Sequence, residues 1–219
     1  MSGSVPLVIV DYGSGNLRSV AKAFERVMAE DGIPGRPLVT SRADDILRAD
    51  RAVVPGVGAF ADCIYGLRSL PGMVEALDER FRKGARPFLG ICVGMQLLAE
   101  HGLEHGDHPG LGWVPGVVQP IDVSSNPALK VPHMGWNMLT PETPAHPLLA
   151  GTPQETCVYF VHSYHFVCAV PQHRLASVTY GSPLTAMVAD GTVAGVQFHP
   201  EKSQAAGLRV LSNFMRWRP

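Results

Sequence analysis

The stretch that most limits what this chain can become is residues 87–101. An apolar, strand-like run (87–91) passes into an apolar helical pattern (92–101) with no loop residues between them. The reversal has to happen inside Gly90-Ile91-Cys92-Val93-Gly94. Glycine lacks a Cβ, so the two backbones can pass close to the residue held at the turn. A buried strand feeding straight into a covering helix is the building unit of a parallel sheet. The same order recurs upstream. Residues 7–10 are apolar and β-branched, and end in Asp11-Tyr12-Gly13-Ser14-Gly15. Asn16 then caps a helix to about residue 30, with Leu17, Val20, Ala21, Phe24, Val27 and Met28 on one face. Residues 37–40 and 51–55 supply two further strands, and 59–70 and 73–83 two helices split by Pro71-Gly72. This alternation predicts an α/β fold, with a parallel sheet covered by helices on both faces.

From about residue 112 the texture changes. Residues 114–120, 130–139, 156–170, 175–180, 184–189 and 193–198 read as strands joined by short turns such as Asp190-Gly191. A strand-rich antiparallel half is therefore expected at the C-terminal end, closed by a helix over 203–216 with Ser203 as its N-cap. No linker or repeat interrupts the 219 residues, so a single domain, 1–219, is expected. At 46% hydrophobic and 17% charged residues, the chain is not a disordered segment. Eighteen basic against nineteen acidic residues give a formal charge of −1, which argues against a nucleic-acid-binding surface. No apolar run approaches the roughly 20 residues of a membrane span, and the N-terminus lacks a basic leader. A cytoplasmic location is expected. Cys63, Cys92, Cys157 and Cys168 form no CxxC pair and are read as free thiols, with all but Cys92 filling the core.

Three segments carry chemistry. Gly90–Gly94 has the G-x-nucleophile-x-G pattern with sulfur as the nucleophile. Cys92 would stand at a helix N-terminus, where the dipole favours its anion, and the amide of Val93 would point at an oxyanion formed there. Read alone, this residue is equally a small buried cysteine at a strand end. Gly195-Val196-Gln197-Phe198-His199-Pro200-Glu201 is the second segment. Pro200 pushes His199 into extended geometry, so His199 and Glu201 can share a face, with the carboxylate orienting the imidazole. The third is Pro55-Gly56-Val57-Gly58, after the third strand, where a second oxyanion donor would lie. Taken alone it is an ordinary strand–helix turn.

Together, 90–96 (Gly-Ile-Cys-Val-Gly-Met-Gln), 55–58 and 197–201 resemble the class I, triad-type glutamine amidotransferases. Residues 11–17 (Asp-Tyr-Gly-Ser-Gly-Asn-Leu), 132–137 (Pro-His-Met-Gly-Trp-Asn), 159–164 (Tyr-Phe-Val-His-Ser-Tyr) and 201–203 (Glu-Lys-Ser) narrow the resemblance to the glutaminase subunits of imidazole glycerol phosphate synthase, from histidine biosynthesis. The resemblance spans nearly the whole chain and implies a flavodoxin-like, mostly parallel central sheet. It also implies roles. Cys92 is the nucleophile towards the side-chain amide of glutamine, His199 its base and Glu201 the orienting acid. The amides of Val57 and Val93 form the oxyanion hole. Gly56, Gly58, Gln96, His162, Ser163 and Tyr164 bind glutamine. Asn16, Trp136, Asn137, Tyr159 and Lys202 face a (β/α)8-barrel cyclase subunit that consumes the ammonia. Core packing is an equal reading of Trp136 and Tyr159. The glycine-flanked Val57 peptide is expected to turn its carbonyl into the site until the partner binds.

No phosphate-binding Walker A loop is present, and residues 13–18 lack the last glycine of a dinucleotide fingerprint. His101, His105 and His108 are separated by Gly102 and Gly106, which break the helix a metal set there would need. No cofactor and no metal are expected. Residues 100–109 carry no signal of their own. Three alternatives remain: the glutaminase of a pyridoxal phosphate or anthranilate synthase, a stand-alone γ-glutamyl cysteine hydrolase, and a non-catalytic binding module.

Overall fold

A computed structural model describes residues 5–124, 126–143 and 145–219. The first half alternates strand and helix: β1 (Val8–Val10), α1 (Leu17–Glu30), β2 (Leu38–Thr40), α2 (Ala43–Leu47), β3 (Ala52–Gly56), α3 (Phe60–Ser69), α4 (Met73–Leu77), β4 (Phe88–Cys92) and α5 (Val93–Gln96). A wider turn, Asp78–Lys83, continues α4. The short strands β5 (His101–Gly102) and β6 (His108–Pro109) follow, then β7 (Gly116–Pro120), β8 (His133–Pro141), β9 (Cys157–His162), β10 (Tyr164–Cys168), β11 (Arg174–Tyr180), β12 (Ser182–Asp190), β13 (Val193–Val196) and α6 (Gln204–Arg216).

Nine strands form one sheet in the order β2-β1-β3-β4-β13-β12-β11-β8-β9. The first five run parallel, and the rest pair antiparallel. β1, β3 and β4 are buried throughout, which is why they read as unbroken apolar runs. Right-handed crossovers put α1 on one face and α2 to α4 on the other. The packing agrees, since α1 lies against α6 and α2 against α4. Phe24 of α1 meets Phe214 of α6 edge to face at 6.2 Å. A second sheet of four strands, β10-β7-β5-β6, shares no ladder with the large one but packs against it where β10 meets β12.

The register places the chemistry. Gly56 of β3 lies opposite Cys92 of β4, and Gly195 and Val196 of β13 lie opposite Gly90 and Ile91. The carboxyl ends of three adjacent parallel strands therefore release Val57, Cys92 and the 197–201 segment side by side, at the edge where open α/β sheets bind ligands.

Several expectations need correction. The helix expected over 92–101 is a single turn. The carbonyls of Leu97, Leu98, Ala99 and Glu100 accept from the amides of Leu111, Trp113, Val114, Gly112 and Gly110, and not from a further helical turn. This capture redirects the chain, and His101–Gly102 becomes a strand. The strand expected over 156–170 breaks at Ser163, between β9 in the large sheet and β10 in the small one. Ser203 starts α6 but makes no side-chain cap. Its Oγ donates to the carbonyl of His199 (2.7 Å) and accepts from the amide of Tyr159 (2.9 Å), tying β9 to the His199 turn. Asn16 does cap α1, accepting from the amide of Ser19 at 3.4 Å. All four cysteines are free, and Cys157 is exposed, not a core filler.

Candidate active site

Cys92 has φ 56° and ψ −116°, a conformation that side chains rarely adopt. Its surroundings impose it. A Cβ on Gly90 would lie 2.3 Å from the carbonyl oxygen of Gly94, and one on Gly94 would lie 1.8 Å from that of Val54. Only glycine at both positions lets β4, α5 and β3 pack this closely. The strained elbow holds the thiol at the end of β4, while the amide of Val93, first residue of α5, has no acceptor within the helix. A one-turn helix supplies far less dipole than the sequence pattern promised, so charge beside the sulfur has to come from side chains.

His199 supplies it. Its backbone is extended, as Pro200 requires, and its amide donates to the carbonyl of Tyr159 at 3.0 Å. Glu201 lies in a 3-10 turn (Pro200–Lys202), not an extended segment. It still reaches the imidazole, with His199 Nδ1 2.9 Å from Glu201 Oε1 and both side chains buried. Burial pulls the His199 imidazolium down, but hydrogen bonds and charge from Cys92 and Glu201 outweigh it and raise its pKa to about 9. With the thiol's proton held on this imidazole, between a carboxylate and the sulfur, the pair has the charge pattern of an activated cysteine.

A cavity of about 300 Å³ opens over the sulfur. Val57, Gly58, Val93, Gln96, His162, Ser163, Tyr164 and His199 line it, along with Glu104, Pro132 and Val161. Glu104 was invisible in the sequence. It sits in the turn between β5 and β6, and its Oε2 accepts from the amide of Phe60 at 2.7 Å. No local pattern marks it, because only the redirected chain after α5 brings it there. Gly56 does not line the cavity. It lies beneath, where a Cβ would meet the amide nitrogen of Gly94 at 2.7 Å and the Tyr12 hydroxyl at 2.8 Å. Val57 also differs from expectation. Its carbonyl is not turned into the site, because Ser14 Oγ donates to it at 2.7 Å and accepts from the Val57 amide at 3.0 Å.

The five residues expected at a docking face divide. Trp136 and Tyr159 are cross-strand partners whose rings meet edge to face at 6.1 Å, and Lys202 Nζ lies 5.9 Å from the Tyr159 ring centre. Trp136 is half exposed, flanked along β8 by exposed Met134 and Met138. Neighbouring strand residues point to opposite faces. Asn137 accordingly turns inward, where its Nδ2 donates to the carbonyl of Thr179 and to His133. Asn16 is exposed at the start of α1. Among the described residues, no group of three His, Cys, Asp or Glu side chains is placed to hold a metal ion, and no helix is long and apolar enough to cross a membrane.

The glutamine amidotransferase class-I family matches residues 8–217, and the chain belongs to that family. Solved structures share the fold. A glutamine amidotransferase crystal structure aligns with TM-score 0.69 at 19% identity, over 96% of this chain and 99% of that one. The structure of PurLQS from Thermotoga maritima aligns with TM-score 0.67 at 18% identity, over 99% of both chains. Curated relatives are far more similar in sequence. "Imidazole glycerol phosphate synthase subunit HisH" of Rhodospirillum rubrum is 59% identical over 97% of this chain and 99% of its own length. The proteins of that name from Cereibacter sphaeroides and Ruegeria pomeroyi are 53% and 54% identical, over 97% and 96% of this chain and 99% and 98% of theirs. Within the amidotransferases, the chain falls in this HisH family.

Proposed function

We propose that this chain is the glutaminase subunit of an imidazole glycerol phosphate synthase. It hydrolyses glutamine to glutamate and passes the ammonia on for histidine biosynthesis. The observation that carries the reading is the alignment of Cys92, His199 and Glu201 beneath one glutamine-sized cavity, in a chain of the HisH family. Cys92 attacks the side-chain carboxamide, forming a tetrahedral oxyanion and then a γ-glutamyl thioester. His199 accepts the thiol proton and delivers it to the departing ammonia, with Glu201 fixing the tautomer. Water then releases glutamate and regenerates the thiol. The amide of Val93 supports the oxyanion; losing one such donor costs on the order of 10²–10³ in rate. Glu104 is the carboxylate in the cavity suited to the α-ammonium of glutamine. Gly58, Gln96 and the His162-Ser163-Tyr164 segment complete the pocket, and the chain acts as a single domain.

The ammonia acceptor lies on a second polypeptide, a (β/α)8-barrel cyclase acting on a phosphoribosyl formimino aminoimidazole carboxamide ribotide in the cytoplasm. Its products are imidazole glycerol phosphate and aminoimidazole carboxamide ribotide. The cluster of exposed Trp136 and Lys202 with half-buried Tyr159 is the docking face, an aromatic and cationic patch of the kind enriched at binding hot spots. The Val57 amide, the second oxyanion donor, is held by Ser14, and docking has to free it. The test is glutamate release by the isolated chain, repeated with the cyclase subunit and its ribotide ligand, with Cys92→Ala as control. Strong stimulation abolished by C92A is expected. Release indifferent to the cyclase would move the chain to another amidotransferase.

A further inference from the structure

We propose that Gln197 is a further catalytic residue, whose side-chain amide donates to the sulfur of Cys92 and holds it ready as the anion. This rests on the reading of Cys92 as the nucleophile. Gln197 is fully buried, and its Nε2 lies 3.8 Å from Cys92 Sγ, within reach of an N–H···S bond. A side-chain amide can turn either its nitrogen or its oxygen to the sulfur. The surrounding bonds decide which.

The anchor is the carbonyl of Tyr164, which can only accept. Gln96 therefore presents its nitrogen there, with Nε2 at 3.0 Å. The same nitrogen lies 3.0 Å from Gln197 Oε1. A reversed Gln197 would set two NH2 groups against each other and an oxygen against the sulfur. The orientation with Nε2 on the sulfur is the one that satisfies every partner.

A second branch holds the anchor itself. His162 Nδ1 lies 2.9 Å from the same carbonyl, and so carries a proton. Burial keeps this imidazole neutral, with a pKa lowered to about 3, so its Nε2 is an acceptor. His133 Nδ1, at 2.9 Å, donates to it. Burial also lowers His133, to about 4, leaving its Nε2 to accept from Asn137 Nδ2 at 3.2 Å. Asn137 is fixed as a donor by the carbonyl of Thr179 at 3.0 Å. Backbone carbonyls at positions 179 and 164 thus set the polarity of the whole chain, from β8 to the sulfur. With α5 only one turn long, Gln197 provides hydrogen bonding to the sulfur that the helix dipole does not.

The experiment follows alkylation of Cys92 by iodoacetamide as a function of pH, read by peptide mass spectrometry so that exposed Cys157 does not interfere. It uses the full chain, wild type, Gln197→Met and Gln197→Glu. A hydrogen bond to a charged group is worth about tenfold or more. Alkylation of Q197M at pH 7 is expected to slow about tenfold, with the profile displaced to higher pH and kcat for glutamate release falling while KM holds. Q197E keeps the shape and substitutes a carboxylate, whose ionised form repels the anion, so its alkylation slows further as pH rises through the carboxyl titration. If Q197M does not fold, Q197E carries the test. A folded variant with an unchanged alkylation profile, or one altered only in KM, overturns the proposal. Alkylation reports the sulfur without reference to glutamine. A wild-type chain that releases no glutamate with its partner would refute the function proposed above and leave this test standing.

Discussion

Replacing Gly94 by alanine should disable the site while leaving most of the fold in place. A Cβ there would lie 1.8 Å from the carbonyl oxygen of Val54, against a closest tolerable approach of 3.0 Å. The elbow and β3 must separate by the difference, 3.0 − 1.8 = 1.2 Å. Neither side can yield cheaply, because Val54 and Val93 are both buried in the parallel core. Overpacking of this kind costs about 1–3 kcal/mol, lowering Tm by roughly 2–4 °C for each in a domain of this size. The larger effect is on rate. The shift moves Cys92 away from the loop carrying Val57, and a misplacement of about 1 Å can cost on the order of 10² in rate. The assay is kcat for glutamate release in the presence of the partner, alongside a thermal melt. Gly191→Ala is the control: it has φ +55° but open space around its Cβ, in the turn between β12 and β13. It should cost about 1–2 kcal/mol in stability and nothing in kcat. A G94A chain with kcat within about threefold of wild type would show that the close approach of elbow and strand is not what positions the thiol.

Other outcomes follow from the same geometry. Ser14→Ala removes the acceptor that holds the Val57 amide, so glutamate release by the isolated chain should rise about tenfold, towards the partner-stimulated rate; an unchanged basal rate would clear Ser14 of any gating role. The buried histidines give stability a pH signature. His133 and His162 are neutral when folded, with pKa lowered by burial to about 4 and about 3 from an unfolded value of 6.5. Their contribution is complete above pH 6.5 and is lost as pH falls towards those values, at about 1.4 kcal/mol per pH unit for each histidine. Urea titrations at pH 7.5, 6 and 5 should show this slope, and His133→Asn should remove one proton's share of it. His199 has the opposite sign, since its pKa is raised: its contribution is present below pH 6.5 and fades as pH climbs to about 9. Trp136→Ala should leave stability within about 0.5 kcal/mol while weakening partner binding by about 2 kcal/mol or more, measured by calorimetry; unaltered affinity would move the docking face elsewhere.

Features whose physics is local were legible in the residues alone. Buried parallel strands such as β3 and β4 must be apolar along their whole length, so they stand out in one dimension. The nucleophile turn announces itself because only glycine fits at Gly90 and Gly94, and Pro200 fixes the geometry of His199 within its own dipeptide. The His199–Glu201 contact was legible from spacing, although a 3-10 turn achieves it and not an extended segment. Other features depend on partners distant in the chain and emerge only on folding. α5 stops after one turn because amides ten or more residues downstream take the carbonyls of Leu97 to Glu100. That capture carries Glu104 into the cavity and leaves the sulfur without a long helix behind it. Ser14 on Val57 and Gln197 on Cys92 are bonds across 43 and 105 residues. Asn137 and Trp136, adjacent in sequence, part to opposite faces once β8 is paired. Local sterics are written in neighbouring residues, whereas the destination of a polar group is set by whichever distant donor or acceptor the folded chain delivers.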